Sequence, residues 1–139
     1  ADAPFSRHST HYRLLAHINE VAEAGLMLAD FAYSHWPDEW TKKLDRQELL
    51  QILLLHDLDK YLLLSDESLE RSIAHGTLSA MILNDLGFDS RVIEAVASHS
   101  PSASLHLDDP ASMILHYCDL FSCDHIYMLV SRTPHYCMK

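Results

Sequence analysis

The stretch Leu53-Leu54-Leu55-His56-Asp57-Leu58-Asp59-Lys60-Tyr61 decides how this chain is read. An apolar run ends in an adjacent imidazole and carboxylate. Two ionisable side chains at the edge of a core are costly unless something neutralises and orients them. A metal ion does both, and an imidazole nitrogen with a carboxylate oxygen is an ordinary ligand pair for divalent metals. One His-Asp pair is nonspecific, so the reading depends on the rest of the chain.

The chain has 139 residues, 48% hydrophobic and 22% charged, which suits one domain, 1–139, with a real core. Only 3 Gly and 5 Pro, with no alternating strand pattern, favour long helices over a sheet protein rich in tight turns. The net charge of −10 and the lack of a Lys/Arg block argue against nucleic acid as a partner. An anionic substrate therefore needs a local positive centre, which a metal supplies. Eleven His residues raise the weight of that reading. Three Cys (Cys118, Cys123 and Cys137), an odd number without CxxC spacing, argue against a disulfide framework or a four-Cys zinc site. They point to reduced thiols and a cytoplasmic location. No apolar run approaches the roughly 18 residues of a membrane span. Ala1 to Phe5 shows no basic stretch leading into an apolar one, so no intact signal peptide is expected.

The periodicity predicts a series of helices. The first runs from about Ser9 to Tyr33, with Leu14, His17, Ile18, Val21, Ala24 and Leu28 on one face. His35 to Leu44 reads as a loop. A second helix starts at Asp45, where Glu48 completes a capping-box pattern, and ends around His56-Asp57. A third covers Glu67 to Leu86, stopped by Gly87. A fourth runs from Ser90 to His99 behind Asp89, and Asp109-Pro110 opens the last, to about Val130.

Four further residues then gain meaning. His17 lies between Leu14 and Val21. His75 precedes Leu78, Ile82 and Leu86. His99 follows Val92 and Val96, and Asp119 follows Leu115 by one turn. Each falls on the apolar face of its predicted helix, which is how a helical bundle builds a metal site in its core. The remaining candidates are plainer. His8 and His11 lie near the terminus, His106 in a loop, and His116 one turn before Asp119. Cys118 and Cys123 read as small core residues, and Asp66-Glu67 and Asp108-Asp109 as caps and solvated surface.

This ordered set resembles the HD-domain superfamily of metal-dependent phosphohydrolases, over roughly His17 to Phe121. His56-Asp57-Leu58-Asp59-Lys60 looks like the family's His-Asp-(Ile/Leu)-Gly-Lys segment. His75-Gly76 with Ser79-Ala80 looks like its His…Gly-Ala segment, Val96 to Ser100 like the stretch that often reads His-His, and Tyr117 to Leu120 like its closing Ala-Asp-(Leu/Met). The resemblance implies an all-α bundle of about five to six helices with a metal site in its core. His17, His56, Asp57 and Asp119 match the ligands of a one-metal site. His75 and His99 match the extra His of members with a second ion, which Asp57 would bridge. Lys60 matches the residue that contacts substrate phosphate. Two positions depart from the pattern: Asp59 stands for the usual Gly, where it can repel an anion, pair with Lys60 or bind metal, and Ser100 stands for the second His.

The implied cofactor is one or two divalent ions, for which mixed N/O ligands suit Fe, Mn, Co, Zn or Ni. The implied reaction is hydrolysis of a small phosphorylated metabolite, a nucleotide or dinucleotide, by metal-activated water. Asp57 is also placed to orient or deprotonate that water, and Lys60 to neutralise a phosphate oxygen. Two other readings compete: a di-iron oxygenase of the same superfamily, and a catalytically degenerate sensor or interaction module.

Overall fold

The computed structural model describes residues 2–7, 11–101, 103 and 107–138, so His8 and His106 lie outside the described residues. Those residues form an all-helical bundle: α1 (Leu14–His35), α2 (Asp38–Thr41), α3 (Arg46–Leu55), α4 (Lys60–Leu63), α5 (Glu67–Ser72), α6 (Thr77–Asp85), α7 (Ser90–Ser98) and α8 (Pro110–Leu129), then a 3-10 turn, His135–Cys137. Five of these helices have nine or more residues. No strand occurs among the described residues, only an isolated bridge between Pro4 and Arg13. No helix among them is long and apolar enough to cross a membrane.

Local chemistry sets the helix starts. The side chains of Asp45, Asp66, Asp89 and Asp109 accept backbone N–H groups of Glu48, Leu69, Arg91 and Ser112, at 2.8, 3.1, 2.9 and 2.9 Å. Each satisfies a donor that the first helical turn leaves unpaired. Pro110 occupies the first turn of α8, where no N–H is needed.

Helix α1 buries Leu14, His17, Ile18, Val21, Ala22, Gly25, Ala29 and Ala32. It packs against both α3 and α8, while α6 packs on α7. The small residues of α1 permit close approach: a Cβ on Gly25 would stand 2.5 Å from Leu53 Cδ1. Leu53, at the start of the deciding stretch, is fully buried there with Leu49, Ile52, Leu83, Val92, Val96, Ile114 and Leu115. Burying each such side chain contributes about 1.5–3 kcal/mol.

Three expectations are corrected. The first helix begins at Leu14, because residues 3–5 run alongside residues 12–14: Phe5 N–H donates to the Tyr12 carbonyl and Leu14 N–H to that of Ala3, both at 2.8 Å. The stretch 35–44 contains the short helix α2. The continuous third helix is two helices, α5 and α6, and His75 lies in the turn between them. Helix α5 ends where Ile73 turns extended, and Gly76, at φ +94°, a left-handed conformation that glycine tolerates best, precedes the start of α6. The buried face of α6 is Ser79, Ala80 and Leu83, and Leu86 is exposed.

Candidate metal centre

All six predicted donors meet inside the bundle. His17 comes from α1, His56 and Asp57 from the end of α3, and Asp119 from α8, and one donor atom of each lies within 4.8 Å of the others. Asp57, His75 and His99 form a second group on the same criterion. Asp57 joins the two. Its Oδ2 lies 3.1 Å from His17 Nε2 and 3.4 Å from His56 Nε2. Its Oδ1 lies 2.9 Å from His75 Nε2 and 3.6 Å from His99 Nε2. Asp119 Oδ1 completes the first group, 3.1 Å from His17 Nε2 and 3.4 Å from His56 Nε2. Each oxygen of Asp57 thus serves one group, the arrangement of a bridging carboxylate.

The imidazoles share one orientation rule. His56 Nδ1–H donates to the Leu53 carbonyl at 2.8 Å, and His99 Nδ1–H to that of Val96 at 2.6 Å. His17 Nδ1 lies 2.8 Å from Ser122 Oγ. A carbonyl acceptor forces the proton onto Nδ1, which leaves the lone pair of a neutral ring on Nε2. Holding a ligating His through its other nitrogen is the usual outer-shell device of metal sites. His17 Nε2, His56 Nε2 and both oxygens of Asp57 are buried without a hydrogen-bond partner, although they stand close together. Buried polar atoms are rarely left so. Ligands about 2.1 Å from an ion lie about 3.0–3.4 Å apart at octahedral and tetrahedral angles, which matches these separations. The residues present fit a metal.

Asp59 resolves into a support for this centre. It is fully buried, and its Oδ2 accepts the Gly76 N–H at 3.0 Å. Its Oδ1 faces His75 Nδ1 at 3.4 Å, and its own N–H donates to Ser79 Oγ at 2.7 Å. Lys60 pairs with Asp57 instead, at 3.3 Å. Asp59 therefore anchors the turn that carries His75 through the Gly76 N–H, and its Oδ1, buried without a hydrogen bond of its own, faces the Nδ1 side of the His75 ring. Gly76 is required there sterically: an added Cβ would stand 2.8 Å from the Val96 carbonyl and 3.3 Å from the His99 ring.

Electrostatics follow from burial opposed by paired charge. Burial works to raise the carboxyls of Asp57 and Asp119, but His56 and Lys60 beside Asp57, and His17 and His56 beside Asp119, hold both well below the usual range. Burial works to lower His75, yet Asp57 and Asp59 raise it to about 10. His75 therefore carries a proton at neutral pH in the metal-free protein, and an ion bound by its Nε2 must displace that proton. Metal uptake at pH 7.5 is expected to release about one proton from His75, and apparent affinity is expected to rise with pH toward 10. Calorimetric titration in buffers of different ionisation enthalpy measures this, and a proton release of zero would contradict it.

Lys60 Nζ also donates to the Phe5 carbonyl at 3.2 Å and sits 3.9 Å over the Phe5 ring. Phe5 is buried and packs on His17 with ring centroids 4.7 Å apart. Lys60, His75 and Asp119 line a cavity of about 180 Å³ together with Cys123, Tyr127 and His135. A neighbouring cleft of about 400 Å³ contains His99, Ser112 and His116. A larger, apolar groove of about 770 Å³ between α1 and α8 contains none of the six donors. Ser100, in place of the second His, is buried. Burial and the Asp119 carboxylate push the Cys123 thiol well above its ordinary range, and its Sγ lies 3.6 Å from Asp119 Oδ1. Cys123 thus remains a thiol donor, and Cys118 is likewise raised, to about 11. Sequence reasoning missed Phe5, Ser122 and His135; it quoted Ser79 only as part of the resemblance and read Cys123 only as a small core residue. Of these only Cys123 carried a signal, its position one turn beyond Asp119 on the same helix face.

No curated protein and no solved structure matches the chain significantly. The family model for the HD domain matches residues 14–123, a span that begins with α1 and ends one turn beyond Asp119, and so holds every donor of both groups. On that match, the chain belongs to the HD domain family.

Proposed function

We propose that this protein is a metal-dependent phosphohydrolase holding two divalent ions with Asp57 between them, and that it cleaves a small phosphorylated metabolite of the nucleotide class. The observation that carries this reading is the convergence of buried imidazole Nε2 atoms on the two oxygens of Asp57. A bound ion supplies Lewis acidity and a water acidified toward neutral pH. The chain supplies the rest. Lys60, whose charge is strengthened by Asp57 against the effect of burial, faces the cavity and neutralises a phosphate oxygen. Phe5 covers the Lys60–His17 side and excludes water, which strengthens these electrostatic contacts. The 180 Å³ cavity takes the phosphoryl end, and the 400 Å³ cleft, which shares Pro101 with it, takes the remainder of the substrate.

Protein purified without chelator is expected to carry two ions per chain by elemental analysis. It is expected to release phosphate or nucleoside monophosphate from a phosphoester panel, with activity lost on chelation and regained on metal addition. Full occupancy without turnover across the panel would sink the reading in favour of a sensor module. Two N/O donor groups joined by one carboxylate also suit a pair of irons. Two irons per chain with oxygen consumption and no phosphoester cleavage would establish the oxygenase alternative.

A further inference from the structure

We propose that Asp124 and His135 form a carboxylate–imidazole dyad in which His135 donates a proton to the leaving oxygen of the substrate, an inference that rests on the phosphohydrolase reading. Both residues lie beyond the span 14–123 matched by the family. Asp124 Oδ1 accepts the backbone N–H of His135 at 2.6 Å and faces its Nδ1 at 2.7 Å, and Asp124 Oδ2 accepts the Tyr136 N–H at 3.4 Å. One carboxylate on α8 thus folds the C-terminal segment back and fixes the ring of His135. Tyr127 stacks on that ring, with centroids 5.1 Å apart and an interplanar angle of 21°.

With Nδ1 committed to Asp124, Nε2 is the nitrogen left for the cavity that His135 lines with Lys60, His75 and Asp119. His135 therefore borders the chamber where the phosphoryl group is placed, while Asp124 holds it from the side of the 770 Å³ groove, which both residues line with Tyr136. His75 and His99 are committed to the donor groups, and Cys123 stays a high-pKa thiol, which leaves His135 as the imidazole of this cavity outside those groups. An imidazole held by a carboxylate through one nitrogen is oriented to present the other nitrogen to a reacting oxygen.

A water oxygen forms the new P–O bond while the ester P–O bond breaks. The electron pair of that bond goes to the leaving oxygen, which takes the proton from His135 Nε2 and departs as an alcohol. The proton of the water stays with the phosphate product or passes to solvent, and solvent reprotonates His135. His135 is a catalytic residue in this scheme and Asp124 a positioning residue.

The test uses the full metal-loaded chain with paired esters of good and poor leaving groups: p-nitrophenyl and phenyl phosphate, and the corresponding diesters. Protonation matters most where the leaving oxygen is basic. His135→Gln is expected to lower kcat on the phenyl ester by at least about 10²-fold and on the p-nitrophenyl ester by less than about fivefold. Asp124→Asn is expected to show the same split with smaller losses. Metal content at the wild-type level reports an intact fold in both variants. Equal losses on the two leaving groups, or none, would overturn the dyad while leaving the phosphohydrolase reading in place. Wild-type protein that carries its metal and cleaves none of the four esters would overturn both.

Discussion

Replacing Asp57 by Asn is expected to abolish metal binding by this protein. The amide keeps the size of the carboxylate but loses its charge, and it presents an N–H₂ group to one of the two donor groups that Asp57 joins. His17 and His56 lie on its Oδ2 side, and His75 and His99 on its Oδ1 side, so either amide orientation sets a donor against imidazole nitrogens. Supporting partners that only orient a ligand are worth about 10–100-fold in metal affinity. Loss of a residue shared by both groups is expected to exceed about 100-fold, taking metal content to near zero by elemental analysis and hydrolysis with it. Asp57→Ala adds a folding cost. It strands Lys60 and the protonated His75 without their common carboxylate, and breaking one partner of a buried pair costs about 3–5 kcal/mol. Chemical denaturation of the metal-free proteins reads this cost: the Asn variant, which also lacks the charge, is expected to unfold at lower denaturant than wild type, and the Ala variant, which also loses the side-chain volume, at lower denaturant still. Wild-type metal content in Asp57→Asn would refute the central assignment.

Substituting Asp59 acts on one group only. Asp59→Asn can still accept the Gly76 N–H through its amide oxygen, but its N–H₂ then faces His75 Nδ1. The ring is driven to carry its proton on Nε2, where a ligand lone pair is required. The expected result is loss of about one ion per chain, or 10–100-fold weaker binding of it, while the ion held by His17, His56, Asp57 and Asp119 stays. Asp59→Gly, which restores the residue usual in the family, removes the acceptor altogether. It leaves the buried Gly76 N–H unpaired at about 1–3 kcal/mol. Metal titration followed by elemental analysis reads the first effect, and denaturant unfolding the second. Two ions bound with unchanged affinity in both variants would show that His75 does not depend on Asp59.

The deciding stretch illustrates what can be read along a chain. Asp45, Asp89 and Asp109 were legible as caps because a cap bonds to a group two or three residues away. His17, Asp119 and the His56-Asp57 pair were legible because polar residues on an apolar face demand a common reason. His75 was legible as a donor but not in its setting. The 3.6-residue period around Leu78 and Ile82 continues a helix on paper, while in space Ile73 turns extended and the left-handed Gly76 packs tightly against Val96 and His99.

By itself the sequence determined an all-helical chain, its main helix starts and the set of six donors, since periodicity, capping and residue type are properties of neighbours within about one turn. How those donors face one another is set by packing between segments far apart in the chain. That Asp57 turns one oxygen to each group depends on five separate segments meeting. Asp59 faces His75 and Gly76 across 16 and 17 residues, Ser122 meets His17 across 105, and Lys60 reaches the Phe5 carbonyl across 55. Such contacts are set by how helices pack, where a single small residue such as Gly25 against Leu53 fixes an approach that no local pattern encodes. The meaning of Asp59 was therefore open in the sequence and is settled by the turn that it holds.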